Sequence, residues 1–312
     1  MQSAKSAKKC KKVLYNFSEL KYNTDIKQKQ TQPRKENEIM KKLIAMMLAI
    51  VLCLSCFAAC GANTDTADTT AAKAETKTVV VGYTIYEPMN YKDESGKLVG
   101  FDTELAEAVF GNLGYEVIFQ EIDWDSKYTD LDSNTIDCVW NGFTANTKDK
   151  DGVARADKVD FSYNYMENRQ VIVVKKGSGI ASAADLAGKM GAAEKGSAGE
   201  TYGKEFEGTN IKGFSYQTDC LMEVNGGTAD FAVLDAQLAK SYCGKGDYAE
   251  LEIVEALSSE VEFYAIGFKK GSDLTAQVNA QLEALAADGT IKALAEKYGV
   301  ANTAITDFAD QK

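Results

Sequence analysis

Residues 78 to 119 read TVVVGYTIYEPMNYKDESGKLVGFDTELAEAVFGNLGYEVIF, and three patterns follow one another in them. Thr78-Val79-Val80-Val81-Gly82 is a β-branched run of strand length. From Asp102 to Leu113, the residues Leu105, Ala106, Val109, Phe110 and Leu113 share one helical face. Val117-Ile118-Phe119 is a second strand-like run. Strand, amphipathic helix and strand in this order predict a βαβ unit with parallel strands, because the helix carries the chain back across the sheet.

The rhythm continues toward the C-terminus. Strands are predicted at Asp137 to Trp140, Gln170 to Val174, Lys189 to Ala193, Asp230 to Leu234 and Glu262 to Phe268. Between them fall a short helix at 183–188 and a helix after Ser197. Two last helices are split by the Asp288-Gly289 turn: Leu282, Leu285 and Ala286, then Ile291, Leu294, Ala295 and Tyr298, make their apolar stripes, and Gly299 stops the second. The fold class is therefore α/β, with mainly parallel sheets covered by helices.

The N-terminal part differs in kind. Met40-Lys41-Lys42 precedes 17 uncharged residues, Leu43 to Ala59, and then Cys60-Gly61. A positive start, an apolar core and small residues before a cut make a signal peptide. The run is short for a membrane span of ~20 residues, and no positive stop-transfer cluster follows it. Phe57-Ala58-Ala59-Cys60 resembles the lipobox of bacterial lipoproteins, although Phe57 stands where Leu is usual, and this implies a lipid on Cys60 and a mature chain that begins there. Residues 1–39 are read as a mis-assigned or extended start, 40–59 as the leader, and 60–77 as a flexible tether with no aromatic or large aliphatic side chain.

Of the 35 Lys/Arg, 12 lie before residue 60, against 4 of the 46 Asp/Glu, so residues 60–312 carry 23 against 42 and a net charge of −19. That balance excludes a nucleic-acid partner, whose phosphates need clustered cations. The chain has no histidine, which excludes His-based triads and His-ligated zinc. Cys138, Cys220 and Cys243 remain after the leader and Cys60, at separations that fit no metal motif. They are read as buried or free thiols, with a Cys220 to Cys243 disulfide as the alternative. No cofactor is expected.

The order of segments resembles the type II periplasmic binding proteins of polar amino acid importers, solute-binding protein family 3. The residues that carry the likeness are Gly82 to Asp102, Ile136 to Thr144, Val159 to Tyr163 and Gly289 to Lys292, in one order over 78–300. The resemblance implies a two-lobed fold with a hinge of two crossing strands. Its lobes are expected at 78–174 with 268–312, and at 178–265, with crossings near 174–177 and 266–270. It also implies an amino acid ligand and the permease of an ABC importer as partners, an extracytoplasmic location and, through Cys60, the membrane.

A zwitterion held in a partly dry cleft needs a cation for its carboxylate and an anion for its ammonium, and Arg and Asp suit those tasks. By resemblance Arg155, five residues before Asp160-Phe161-Ser162, anchors the carboxylate, although the loop from Ala145 to Ala154 is longer than usual and offers Lys148 and Lys150 as other cations. Asp235 takes the ammonium, or caps the helix that follows it. Ser197 and Ala198 begin a helix whose N–H groups donate to the carboxylate. Gly142 and Thr144 contribute a carbonyl and a hydroxyl or N–H, and Asn141 sits beside them. Tyr86 packs over the ligand or belongs to the core. Trp140, Glu87 and Glu194 are candidates for the side-chain pocket. Relatives that take basic amino acids carry an Asp near Thr84; its absence here leans the expectation to a polar neutral ligand, unless Glu87 or Glu194 substitutes. The chain is expected to be a binding protein and not an enzyme, with a small-acid dehydratase, a cell-wall lyase or a ligand-presenting sensor as alternatives on the same fold.

Overall fold

The valine run becomes the middle of a sheet. Val79 and Val81 are buried on one face of strand β1 (Lys77–Tyr83), and Val80 packs on the other against a layer around Ile122, Trp124 and Leu131. The computed structural model describes residues 77–311, so the expectations for the leader, Cys60 and most of the tether lie outside the described residues. β1 pairs in parallel with β4 (Tyr115–Glu121) on one side and β5 (Cys138–Val139) on the other. β14 (Gly267–Phe268) follows, antiparallel to β5 and to β6 (Asp160–Phe161), which completes the order β4-β1-β5-β14-β6.

A second five-stranded sheet has the order β10-β9-β11-β8-β12. Its strands are β8 (Gln170–Lys175), β9 (Met190–Glu194), β10 (Asn210–Phe214), β11 (Phe231–Asp235) and β12 (Leu251–Val254). β9 lies parallel to β10 and β11, whereas β8 runs antiparallel to β11 and β12. The sheets are therefore mixed. The antiparallel strands β8 and β14 are the ones that arrive from the other half of the molecule.

Two short ribbons complete the strands of the described residues, β2 (Tyr91–Lys92) with β3 (Leu98–Val99), and β7 (Met166–Asn168) with β13 (Glu262–Tyr264). The chain leaves the first sheet after β6, passes through β7 and enters the second at β8; it returns through β13 to β14. Two expectations change here. Residues 170–174, assigned to the first lobe, pair in the second sheet, which moves the crossing from 174–177 back to Met166–Asn168. The predicted strand from Glu262 to Phe268 is two strands that pair in different places.

Among the described residues eight α-helices cover the sheets: α1 (Phe101–Asn112), α2 (Lys127–Asp132), α3 (Arg155–Lys158), α4 (Ala198–Gly203), α5 (Gln217–Gly226), α6 (Ala236–Tyr242), α7 (Leu274–Ala287) and α8 (Thr290–Lys297). On α1, Leu105, Ala106, Val109 and Phe110 are buried as the periodicity predicts, against β4, α7 and α8; each large side chain so buried contributes about 1.5 to 3 kcal/mol. Gly100 precedes α1 at φ 132°, and a Cβ there would meet the Met89 carbonyl at 2.0 Å, so glycine alone fits. The strands β10 and β12 and helix α5 fill segments that periodicity left unassigned, and 183–188 shortens to a 3-10 turn, Ala183–Leu186. Cys138, Cys220 and Cys243 are free thiols.

Candidate ligand-binding site

Past the end of β5 the chain runs Trp140-Asn141-Gly142-Phe143-Thr144, and the side chains separate to different sides. Trp140 and Phe143 go into two core layers, Trp140 against Phe110 and Tyr165, Phe143 against Trp124 and Phe161. Asn141, Gly142 and Thr144 line a cavity between the two sheets. Trp140 is therefore core, a correction to its place in the side-chain pocket: with Asn141 turned to the cavity, the preceding residue of an extended segment points away. The Asn141 amide donates to the Thr84 carbonyl (2.9 Å) and Asn90 Oδ1 (2.7 Å), and its oxygen accepts from the Thr84 hydroxyl (2.8 Å).

Gly142 has φ 58°, and a Cβ on it would lie 2.6 Å from the Tyr86 ring. Its N–H donates to Asp102 Oδ2 at 2.9 Å. Tyr86 therefore sits behind Gly142, with its hydroxyl 2.6 Å from that of Tyr264, and supports the cavity wall without lining it. Glu87 lies outside the cavity as well; its carboxylate meets the Tyr242 hydroxyl on α6.

The cationic side of the cavity is built on an aromatic floor. Arg155 is 1% exposed, with its guanidinium 5.2 Å from the Phe143 ring centre. Nε donates to Asp149 Oδ1 (2.9 Å), Nη1 to the Thr144 carbonyl (3.1 Å) and Nη2 to the Gly196 carbonyl (3.2 Å). Asp149 comes from the long loop and also meets Lys158 at 2.9 Å. Burial opposes its charge, but Arg155, Tyr128 and Lys158 hold its carboxyl below the usual carboxylate range. The loop thus orients Arg155, while Lys148 is exposed and Lys150 pairs with Asp125 at 2.6 Å on the surface.

A second buried cation, Lys127, was not foreseen. Its ammonium donates to the carbonyls of Trp124 (3.1 Å) and Gly196 (3.0 Å) and lies within 5.8 Å of the ring centres of Trp124, Tyr128 and Phe143. Burial, and then Arg155 nearby, pull its pKa down to about 7. The Gly196 carbonyl thereby accepts from both cations across the gap between the two sheets. Nothing local in the sequence marks Lys127, since a lysine at the start of a short helix ordinarily faces solvent.

The opposite side is acidic. Asp235 ends β11 at the cap position of α6, yet its carboxylate makes no cap hydrogen bond. It turns to the interior and accepts from Asn168 Nδ2 (2.9 Å), Gln170 Nε2 (2.5 Å) and the Gln217 amide. Glu262, on β13, accepts from the same Asn168 (2.6 Å) and Gln170 (2.8 Å) and from the Thr144 hydroxyl (3.0 Å). Burial raises both carboxyls, and that of Glu262 is pushed up to about 7. Glu194, at the end of β9, is also raised well above the ordinary range by burial and by Asp235.

Ser197 caps α4 by accepting the Glu200 N–H at 3.0 Å, which commits its hydroxyl to the helix. Ser197 and Ala198 line the cavity together with Asn141, Gly142, Thr144, Arg155, Glu194 and Asp235. Seven of the eight main residues expected from the sequence thus converge, along with Glu194, and Trp124 and Gln217 join them. Asn141, Gly142 and Thr144 follow β5 of the first sheet and Arg155 opens α3 ahead of β6; Ser197 and Ala198 follow β9 of the second sheet and Asp235 ends β11. The cavity thus sets a buried guanidinium, Arg155, against a buried carboxyl, Asp235, two groups whose chemistry complements a carboxylate and an ammonium. The cavity holds ≈ 10 Å³ of room, about one water molecule, so an amino acid enters only if the halves part. A wider groove, ≈ 720 Å³ beside the 145–156 loop, is edged by exposed Lys148, Lys150, Lys204 and Glu205 and lacks such opposed buried charges.

Comparison with known proteins fits this geometry. The profile of the bacterial extracellular solute-binding proteins, family 3, matches residues 79–301. The chain is 30% identical over 263 residues to the arginine-binding extracellular protein ArtP of Bacillus subtilis (strain 168), covering 83% of this chain and 98% of that one. It is 31% identical over 273 residues to the L-cystine-binding protein TcyA of the same organism, covering 83% and 97%. Among solved structures, an ancestral arginine-binding protein bound to arginine aligns with a TM-score of 0.65 at 36% identity, over 71% of this chain and 97% of that one.

Proposed function

The chain belongs to family 3 of the bacterial extracellular solute-binding proteins, and from that premise we propose that it captures an amino acid between its two sheet-centred halves and delivers it to an ABC importer. The observation that carries this reading is the placement of Arg155 and Asp235, both buried and coming from the halves built on different sheets, around one cavity. One ligand touching both would hold the halves together, and motion between them runs through β7 and β13. Outside the described residues, Cys60 at the end of the leader carries the lipid that tethers the protein at the outer face of the cell membrane.

The direct test is a melting experiment on the purified protein with each common amino acid in turn. A ligand at ~100 times its Kd stabilises the native state by ~2.7 kcal/mol, which for a domain of this size raises the melting temperature by roughly 5 to 10 °C. No rise with any amino acid would remove the reading. For the tether, Cys60→Ser is expected to abolish incorporation of labelled fatty acid and to move the protein into the soluble fraction. A labelled, membrane-bound Cys60→Ser variant would place the lipid elsewhere.

A further inference from the structure

The acidic groups of the cavity are unequally provided for. Asp235 and Glu262 between them accept from Asn168, Gln170, Gln217 and Thr144. Glu194 lines the same cavity at 4% exposure, yet among the described residues no donor hydrogen-bonds to its carboxylate, and only burial and more distant charges act on it. Lys127 does not fill the gap. Its ammonium is held by two carbonyls and three rings, and no ion pair joins it to Glu194. The other groups that Glu194 faces, Asp235, Asp123 and Asp219, are themselves acidic. A buried carboxyl without a partner favours its neutral form, and a cation brought beside it is the partner that would hold it ionised.

We propose that Glu194 binds the charged end of a cationic side chain, so that the site selects amino acids bearing a guanidinium or a second ammonium over neutral ones. The inference rests on the amino acid reading above, with Arg155 and Asp235 holding the zwitterionic end. The cations nearby are already engaged: Arg155 is paired with Asp149 and Lys127 is held by the Trp124 and Gly196 carbonyls, so the place beside Glu194 is open to a cation carried by the ligand. Trp124, 4% exposed and lining the same cavity, provides a ring against which a cation or its alkyl stem can lie. Thr84, on which the polar neutral expectation turned, is bonded to Asn141 and does not line the cavity, so its neutrality says little about ligand charge.

Calorimetric titration of the purified protein and of Glu194→Gln with L-arginine, L-lysine, L-glutamine and L-citrulline tests this. Citrulline matches arginine in shape without the charge. The wild-type protein is expected to bind arginine or lysine at least roughly tenfold more tightly than citrulline and glutamine, on the scale of a buried charge pair. Glu194→Gln is expected to lose that preference, its affinities for arginine and citrulline falling within a few fold of each other. Wild-type protein that binds citrulline as tightly as arginine, or a Glu194→Gln variant that keeps the preference, would overturn the role of Glu194 and leave amino acid binding in place. Binding of no amino acid by either protein would overturn both.

Discussion

Arg155→Ala is expected to weaken amino acid binding by about 2 to 5 kcal/mol, the cost of truncating one partner of a buried charge pair, or roughly 30-fold to several thousandfold in Kd. The side chain is 1% exposed and reaches both Thr144 and Gly196, so no other group takes its geometry. Lys127 beside it supplies a residual positive charge, but as a point charge and not a planar fork. Arg155→Lys is therefore expected to recover only part of the loss. Arg155→Ala also leaves Asp149 with only Lys158 and Tyr128, so its melting temperature is measured beside its affinity. A folded Arg155→Ala protein with unchanged affinity would refute the assignment of the carboxylate anchor.

The largest effect on stability is expected at Phe143. It is fully buried, with ring centres of Phe161 at 4.9 Å, Trp124 at 5.3 Å and Tyr128 at 6.1 Å. Gly267 runs so close that a Cβ there would lie 2.7 Å from the ring. Removing a ring from such a layer costs ~3 to 5 kcal/mol through lost transfer energy and the cavity left behind. Phe143 also lies under the guanidinium of Arg155 and near Lys127, so Phe143→Leu is expected to restore much of the stability while leaving binding impaired. Urea unfolding checks this: the midpoint of Phe143→Ala should fall with little change in slope. A loss under ~1 kcal/mol would mean that the layer relaxes freely around the missing ring.

What could be read from the sequence, and what could not, divides along physical lines. The β1-α1-β4 unit was legible because its information is local: β-branched runs and a helical stripe lie within one stretch of chain. Arg155 and Asp235 were found by register, and their burial on facing sides of one cavity follows from strands that end beside it. Lys127 was not found, because its oxygen partner on Gly196 lies 69 residues further on and its own surroundings read as a surface helix. Glu262 was missed for the same reason, since the amides it shares with Asp235 come from β7 and β8. The crossing was misplaced because Gln170 to Val174 is an apolar run that suits the interior of either sheet, and only its pairing with β11 and β12 decides between them.

The Gly196 carbonyl meets Arg155 and Lys127 from the other half of the molecule, and under the proposed function it competes with the ligand for them. A carboxylate entering the site takes over donors that a backbone oxygen already occupies, so the free energy of capture is the difference between two satisfied arrangements and not the full worth of a new ion pair. Every ligand, specific or not, is taxed by the same amount, because the fraction of molecules ready to receive it is lowered equally. A solute with only a carboxylate to offer gains little against such a rival, whereas one that also engages Asp235 recovers the difference.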